Sequence, residues 1–178
     1  MTARGYGNVR SRSRGFTLIE MMVVIAIIGL LAGLIMAGLN VARRQSANVK
    51  ARDGVEQLET AWNAYYVDYG SFPTIAADSV SPGGGTHYET GRAVIQILRG
   101  RENHNGQNAK KISYMDFNLN ATEFRDPWGN RYRIALDTDY DGKVTAMSEN
   151  LRLSVAVWSA GADGTDDTDD DVTSWRKQ

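Results

Sequence analysis

Two stretches of the sequence gather carboxylates at spacings that suit a hard cation. "DTDYDGKV" sets Asp137, Asp139 and Asp141 at alternate positions ahead of Gly142. This is the D-x-D-x-D-G start of an EF-hand loop, where successive carboxylates reach one centre and a glycine allows the sharp turn. The pattern then fails. The twelfth loop position is Ser148, Glu149 comes one residue late, and strand-like segments rather than helices flank it. A hairpin turn using Asp-Gly and side-chain-to-backbone bonds accounts for the same residues and is the favoured reading. A second calcium site at Asp137, Asp139 and Asp141 is the alternative. In the other stretch, "SAGADGTDDTDDDVTSW", six aspartates fall within nine residues: Asp163, Asp166, Asp167, Asp169, Asp170 and Asp171. Such a run repels itself, and a solvated acidic tail is its simplest reading. An apolar strand before it, with Val172 and Trp175 after it, favours a closed loop instead.

Other chemistry is missing from the sequence. There is no cysteine, which excludes disulfides and thiolate metal sites. His87 and His104 sit in polar, glycine-containing surroundings with no partner at ligand spacing, and both are expected at the surface. No nucleophile elbow, P-loop, H-E-x-x-H or dinucleotide fingerprint occurs, so the chain is not expected to be an enzyme. Loss of the four leader arginines, Arg4, Arg10, Arg12 and Arg14, would move the net charge from −1 to −5. That balance gives no basic footprint for nucleic acid.

The elements that must position these residues begin with "RSRGFTLIEMMVVIAIIGLLAGLIMAGLN", residues 12 to 40. From Met21 to Leu39 there are 19 residues without a charge. About 20 apolar residues cross the hydrocarbon core as a helix. A cleaved secretory signal has a shorter apolar stretch, roughly 7 to 15 residues, so an anchor is the better reading. The arginines ahead of the run hold the N-terminus in the cytoplasm and send the remainder outward, although Arg43 and Arg44 lie on the far side. Gly29 and Gly33 form a G-x-x-x-G pair that lets membrane helices approach closely. Glu20 is the anomaly, because a carboxylate near the bilayer needs either a partner or a solvated place at its surface.

The apolar pattern continues through Ala51, Val55, Leu58, Trp62, Tyr65 and Tyr69, at helical steps of three and four. One helix is therefore expected from Phe16 to Tyr69, stopped by Gly70 and Pro73, with Gly54 as its weak point. The aromatic stripe Trp62, Tyr65, Tyr66 and Tyr69 reads as core. A short helix is expected from about Arg92 to Leu98. Strands follow in "RYRIAL" (131–136), "KVTAM" (143–147) and "LRLSVAVW" (151–158), the last with Leu151, Leu153, Val155 and Val157 on one face. The fold class is α+β, an antiparallel sheet of three or four strands with the long helix on its apolar face.

"RGFTLIE", Arg14 to Glu20, ahead of an apolar helix, resembles the N-terminus of type IV pilins and of the pseudopilins of type II secretion. "AYYVDYGSFPT" resembles the end of the pseudopilin spine helix. "DPWGNRY", Asp126 to Tyr132, resembles the D-P-W-G-N-P-Y motif of major pseudopilins, with Arg131 in place of the second proline. The acidic loop resembles the calcium loop of that subunit. The resemblance implies a type IV pilin-like fold in which 1–15 is a leader, 16–39 the transmembrane half of the spine, and 40–178 a periplasmic domain. That domain would comprise helix 40–70, a variable region 76–125, and the sheet and calcium loop 126–178.

Several roles follow from the same resemblance. Prepilin peptidase would cut between Gly15 and Phe16, and the new terminus of Phe16 would be N-methylated. Glu20 would pair with the terminal ammonium of a neighbouring subunit, a pairing that low dielectric strengthens and desolvation partly offsets. Asp163, Asp170 and Asp171, with the backbone carbonyl of Ala160, would hold calcium. Asp126, Pro127, Trp128 and Gly129 would form a structural turn. The chain is thus identified as a member of the major pseudopilins, which implies an inner-membrane protein that would polymerise with itself and with minor pseudopilins on a membrane platform driven by an ATPase. The resulting periplasmic filament would push folded exoproteins through the outer membrane. A surface type IV pilus or DNA-uptake subunit is the nearest alternative, and a membrane-tethered calcium-binding domain that never polymerises is another.

Overall fold

In the computed structural model, residues 15–75, 87–101 and 106–176 are described, without the side chains of 34–38 and 40. The leader arginines and His104 lie outside them. The sequence's helical period is realised as α1, Leu18–Tyr69. Its start is a capping box. The Thr17 hydroxyl accepts the Glu20 backbone N–H at 3.3 Å, and the Glu20 carboxylate accepts the Thr17 N–H at 2.8 Å. Its end is a left-handed glycine, Gly70 at φ 69°, whose N–H reaches the Tyr66 carbonyl at 2.7 Å.

Two units divide the chain, Met1–Arg43 and Arg44–Gln178. In the first, the large apolar side chains from Phe16 to Leu31 are exposed. Among the described residues no helix is long and apolar enough to cross a membrane, so the expected span over 16–39 rests on the sequence. In the second, the predicted stripe of Ala51, Val55, Leu58, Trp62 and Tyr65 is buried. Tyr66 departs from it: the ring lies off the core, stacked on Phe72 at 5.0 Å.

The variable region between the helix and the strands contains β1, Tyr88–Glu89, and α2, Arg92–Arg99, close to the expected helix. After α2 the backbone at Gly100 is left-handed, φ 68°, and a β-carbon there would fall 2.2 Å from the Ile112 carbonyl oxygen. The remaining strands are β2 (Arg133–Leu136), β3 (Val144–Ala146), β4 (Glu149–Leu151), β5 (Val155–Ser159) and β6 (Val172–Thr173). Three of these join β1 in an antiparallel sheet of order β1-β2-β5-β6, with Ile134 opposite Val157 and Trp158 opposite Thr173.

The expected single strand 151–158 is corrected. It is two strands in different sheets: β4 pairs with β3, and β5 pairs with β2 and β6. The physical reason is that β5 is buried on both faces. Val155 and Val157 join the main core with α1 and α2, while Ala156 and Trp158 pack with Val144 and Ala146. Leu151 and Leu153 belong to that second cluster, not to the face of Val155 and Val157. The architecture is the α+β arrangement of a type IV pilin-like fold.

Candidate functional site

Within the first unit the functional candidates are Gly15, Phe16 and Glu20. Glu20 is held on its own chain, with Oε2 accepting from both the Thr17 N–H and the Thr17 hydroxyl at 2.8 Å. This local partner was legible as T-x-x-E but was not foreseen.

In the second unit the "DPWGN" turn and the acidic loop form one constellation. The Asp126 carboxylate is buried and works at both ends. Its Oδ1 accepts the N–H groups of Trp128 (3.0 Å) and Asn130 (2.8 Å), closing a turn in which Gly129 has φ 100°. Its Oδ2 accepts the Ser159 hydroxyl at 2.6 Å, at the end of β5. Asn130 then donates to the Gly161 carbonyl at 2.8 Å. The motif therefore supports the acidic loop, and the partly buried Trp128 packs against the main core. Arg131, at the position of the absent proline, pairs with Glu123 at 2.7 Å and with Glu89 at 3.3 Å.

The six loop aspartates are unequal. Asp166 accepts the Trp158 indole N–H at 2.7 Å and pairs with Arg133, which ties the loop to β2 and β5. Asp167 accepts from the Ser148 hydroxyl in the β3–β4 turn. Asp171 is 2% exposed and accepts the Thr168 N–H at 2.8 Å, and burial pushes its carboxyl up. Asp170 accepts the Thr168 hydroxyl at 2.7 Å and the Ala162 N–H at 2.6 Å. Those bonds, the hydroxyl first, hold its carboxyl below the ordinary range.

Asp163, Asp170 and Asp171 do not bring three carboxylates together. The groups that do converge are Asp163 Oδ1 (3.5 Å), Asp170 Oδ1 (2.7 Å) and the Thr165 carbonyl (3.1 Å), all around the Thr168 hydroxyl. Every donor in that set is a hard oxygen. Gly161 leaves room for it, since a β-carbon there would fall 2.5 Å from the Asp170 carboxyl carbon. The donor chemistry is of the kind calcium takes, and Thr168 is a neighbour in the set that the sequence did not single out. The buried Ala160 remains beside the loop as a backbone candidate.

The other aspartate group does converge. Among the described residues, Asp137, Asp139 and Asp141 are the three acidic side chains whose ligand oxygens lie within 4.8 Å of one another. The expected side-chain-to-backbone bonds of a turn are also present, as Asp141 Oδ1 accepts the Lys143 N–H and Asp137 Oδ2 the Gly142 N–H, each at 2.9 Å, but the expected hairpin is corrected, since β2 and β3 belong to different sheets. His87 is a correction: it is half-buried, with its ring 5.0 Å from that of Trp158 in edge contact, because the strand that follows it borders the sheet.

The family model described as the prokaryotic N-terminal methylation motif matches residues 10–36. Type II secretion system core protein G of Aeromonas hydrophila is 30% identical over 166 residues, covering 93% of this chain and 94% of that protein. The same-named proteins of Dickeya chrysanthemi and Escherichia coli are each 29% identical, over 164 and 169 residues. They cover 92% of this chain, and 87% and 92% of their own lengths. No solved structure gives a significant match.

Proposed function

Because the chain belongs to the family of type II secretion system core protein G, we propose that it is the repeating subunit of a secretion pseudopilus. The observation that carries this reading is the alignment with core protein G along nearly the whole length, methylation motif included. On this reading prepilin peptidase cuts between Gly15 and Phe16, and Phe16 is methylated. The exposed apolar face of the first unit then serves first as a membrane anchor and later as the packing surface of a filament. The domain after residue 40 stands in the periplasm. The subunit polymerises with copies of itself and with minor pseudopilins on an inner-membrane platform powered by an ATPase, and the growing filament pushes folded exoproteins outward.

Glu20 has two uses in this scheme. Its carboxylate caps α1 within the chain, and one oxygen suffices for that. The negative charge then serves the ammonium of Phe16 in an adjacent subunit. Calcium belongs to the same reading, held by Asp163 and Asp170 with Thr168, and with Asp171 and the Ala160 carbonyl as further candidates. When bound it would neutralise crowded carboxylates and fix the loop on the "DPWGN" turn.

The test is Glu20→Ala in cells carrying the secretion machinery. The variant should be processed and inserted, yet absent from pseudopili and unable to support secretion. Normal filaments would sink the reading.

A further inference from the structure

The turn between β2 and β3 holds an acidic cluster that the secretion function does not absorb. Three aspartates on a turn are by themselves ordinary. What sets this one apart is Asp137. The residue is 4% exposed, and although Oδ2 accepts the Gly142 N–H, Oδ1 is buried with no hydrogen-bond partner among the described residues. A buried carboxylate oxygen without a donor is left costly by the water it has lost. Its carboxylate belongs to the converging group with the exposed Asp139 and Asp141, so a cation shared by the three would sit against this half-partnered carboxylate.

We propose that Asp137, Asp139 and Asp141 form a second hard-cation site, for which calcium, with its flexible all-oxygen coordination, is the favoured ion. Three carboxylates offer only oxygen, which excludes softer ions from preference. Two ligands of one ion lie no farther apart than twice the metal–oxygen distance. That limit is about 4.6–5.2 Å for calcium and about 4.2 Å for magnesium. Oxygens that all lie within 4.8 Å of one another satisfy the calcium limit, and calcium is also the more tolerant of irregular geometry. The nearest competitor is Lys143, whose ammonium lies 3.6 Å from Asp141 Oδ2. Both side chains are about half exposed, 58% and 49%, and such a surface pair yields readily.

The site has a structural consequence. Tyr140, between two of the ligands, has a left-handed backbone (φ 60°), and its hydroxyl accepts the Phe72 N–H at 3.0 Å just beyond the end of α1. An ion clamping the turn would hold that strut against the helix end, independently of the C-terminal loop.

The experiment is calorimetric titration of calcium chloride into the chelator-stripped full chain in detergent. It is repeated with Asp139→Asn/Asp141→Asn and with Asp163→Asn/Asp170→Asn. Both residues of the first pair are exposed, so that variant should fold. It should lose one bound ion per chain, or bind it at least tenfold more weakly, while the second variant retains that ion. The proposal is overturned if the Asp139/Asp141 variant binds as many ions as the parent with unchanged affinity. Failure of the C-terminal calcium reading is distinct, since it would appear as unaltered binding in the Asp163/Asp170 variant.

Discussion

The phenol of Tyr132 lies on the backbone of Gly54, so close that a β-carbon at residue 54 would fall 2.2 Å from its hydroxyl oxygen. Tyr132 closes the "DPWGNRY" segment and Gly54 lies on the buried face of α1. A helix-interior glycine costs about 1 kcal/mol relative to alanine, yet here it admits an aromatic ring. Gly54→Ala should therefore cost about 1–3 kcal/mol in overpacking, of which the propensity gain offsets about 1 kcal/mol. Adding Tyr132→Leu should recover part of the Gly54→Ala penalty, because the overlap is then gone. Denaturant unfolding of the four chains in a double-mutant cycle measures this, and strict additivity would contradict it.

Asp126 offers the second prediction. Its carboxylate satisfies the Trp128 and Asn130 N–H groups and the Ser159 hydroxyl together. Asp126→Ala leaves all three without their acceptor and should cost about 3 kcal/mol. Asp126→Asn keeps one oxygen for the two N–H groups, and the Ser159 hydroxyl can turn to accept from the new amide, so about 1 kcal/mol is expected. Equal losses for the two variants would mean that the bond to Ser159 carries the whole effect.

Sequence pattern revealed what depends on neighbours along the chain. The spine was legible because its apolar period is unbroken from Ala51 to Tyr69 and Gly70 with Pro73 ends it. The break at 152–154 was not, because alternation runs on through Leu153 while the backbone leaves one sheet for another. Nor was the sorting of the acidic loop. Asp166 and Asp167 find Trp158, Arg133 and Ser148, residues distant in sequence or on other strands, and only the assembled sheet shows that these two carboxylates are engaged. Gly54 looked like a defect because its partner lies 78 positions away, at Tyr132.

Glu20 can be dissected further, since glutamine also completes a capping box. Glu20→Gln should keep the bond to the Thr17 N–H and leave the helix start intact, while removing the charge that a neighbouring ammonium needs. Thr17→Val should do the reverse, with a cost of about 1 kcal/mol at the helix start. Filament assembly should fail in the first variant and persist in the second, scored by crosslinking of processed subunits. The opposite pattern would assign Glu20 to capping alone.

His87 makes stability depend on mild acid. Burial pushes its pKa down, and Arg133 adds to this, while Asp166 and Glu89 pull it up less strongly. The fold thus favours neutral imidazole, whereas the unfolded chain protonates near 6.5. Stability present above about pH 6.5 is lost as pH falls from there toward the lower folded value. Asp171 and Glu59, both raised by burial, have the opposite sign and stabilise the fold on protonation. His87→Phe retains a ring against Trp158 and should flatten the decline in melting temperature between pH 7 and about 5. Parallel curves for parent and variant would remove His87 as the cause.

Calcium at the C-terminal loop should appear as stability that a chelator removes. An ion at a hundred times its dissociation constant contributes about 2.7 kcal/mol. For a chain of this size that corresponds to a fall of roughly 5–10 °C in melting temperature on chelation. Asp163 is the right residue to vary. It is exposed, and its Oδ1 accepts the Thr165 N–H at 2.8 Å, a bond that asparagine preserves. Asp163→Asn should therefore fold normally without calcium and lose most of the chelator response. Whatever response persists should vanish when Asp139→Asn is added, because the two clusters are held by different turns. A parent melting temperature unaffected by chelator would exclude a stabilising ion at either place.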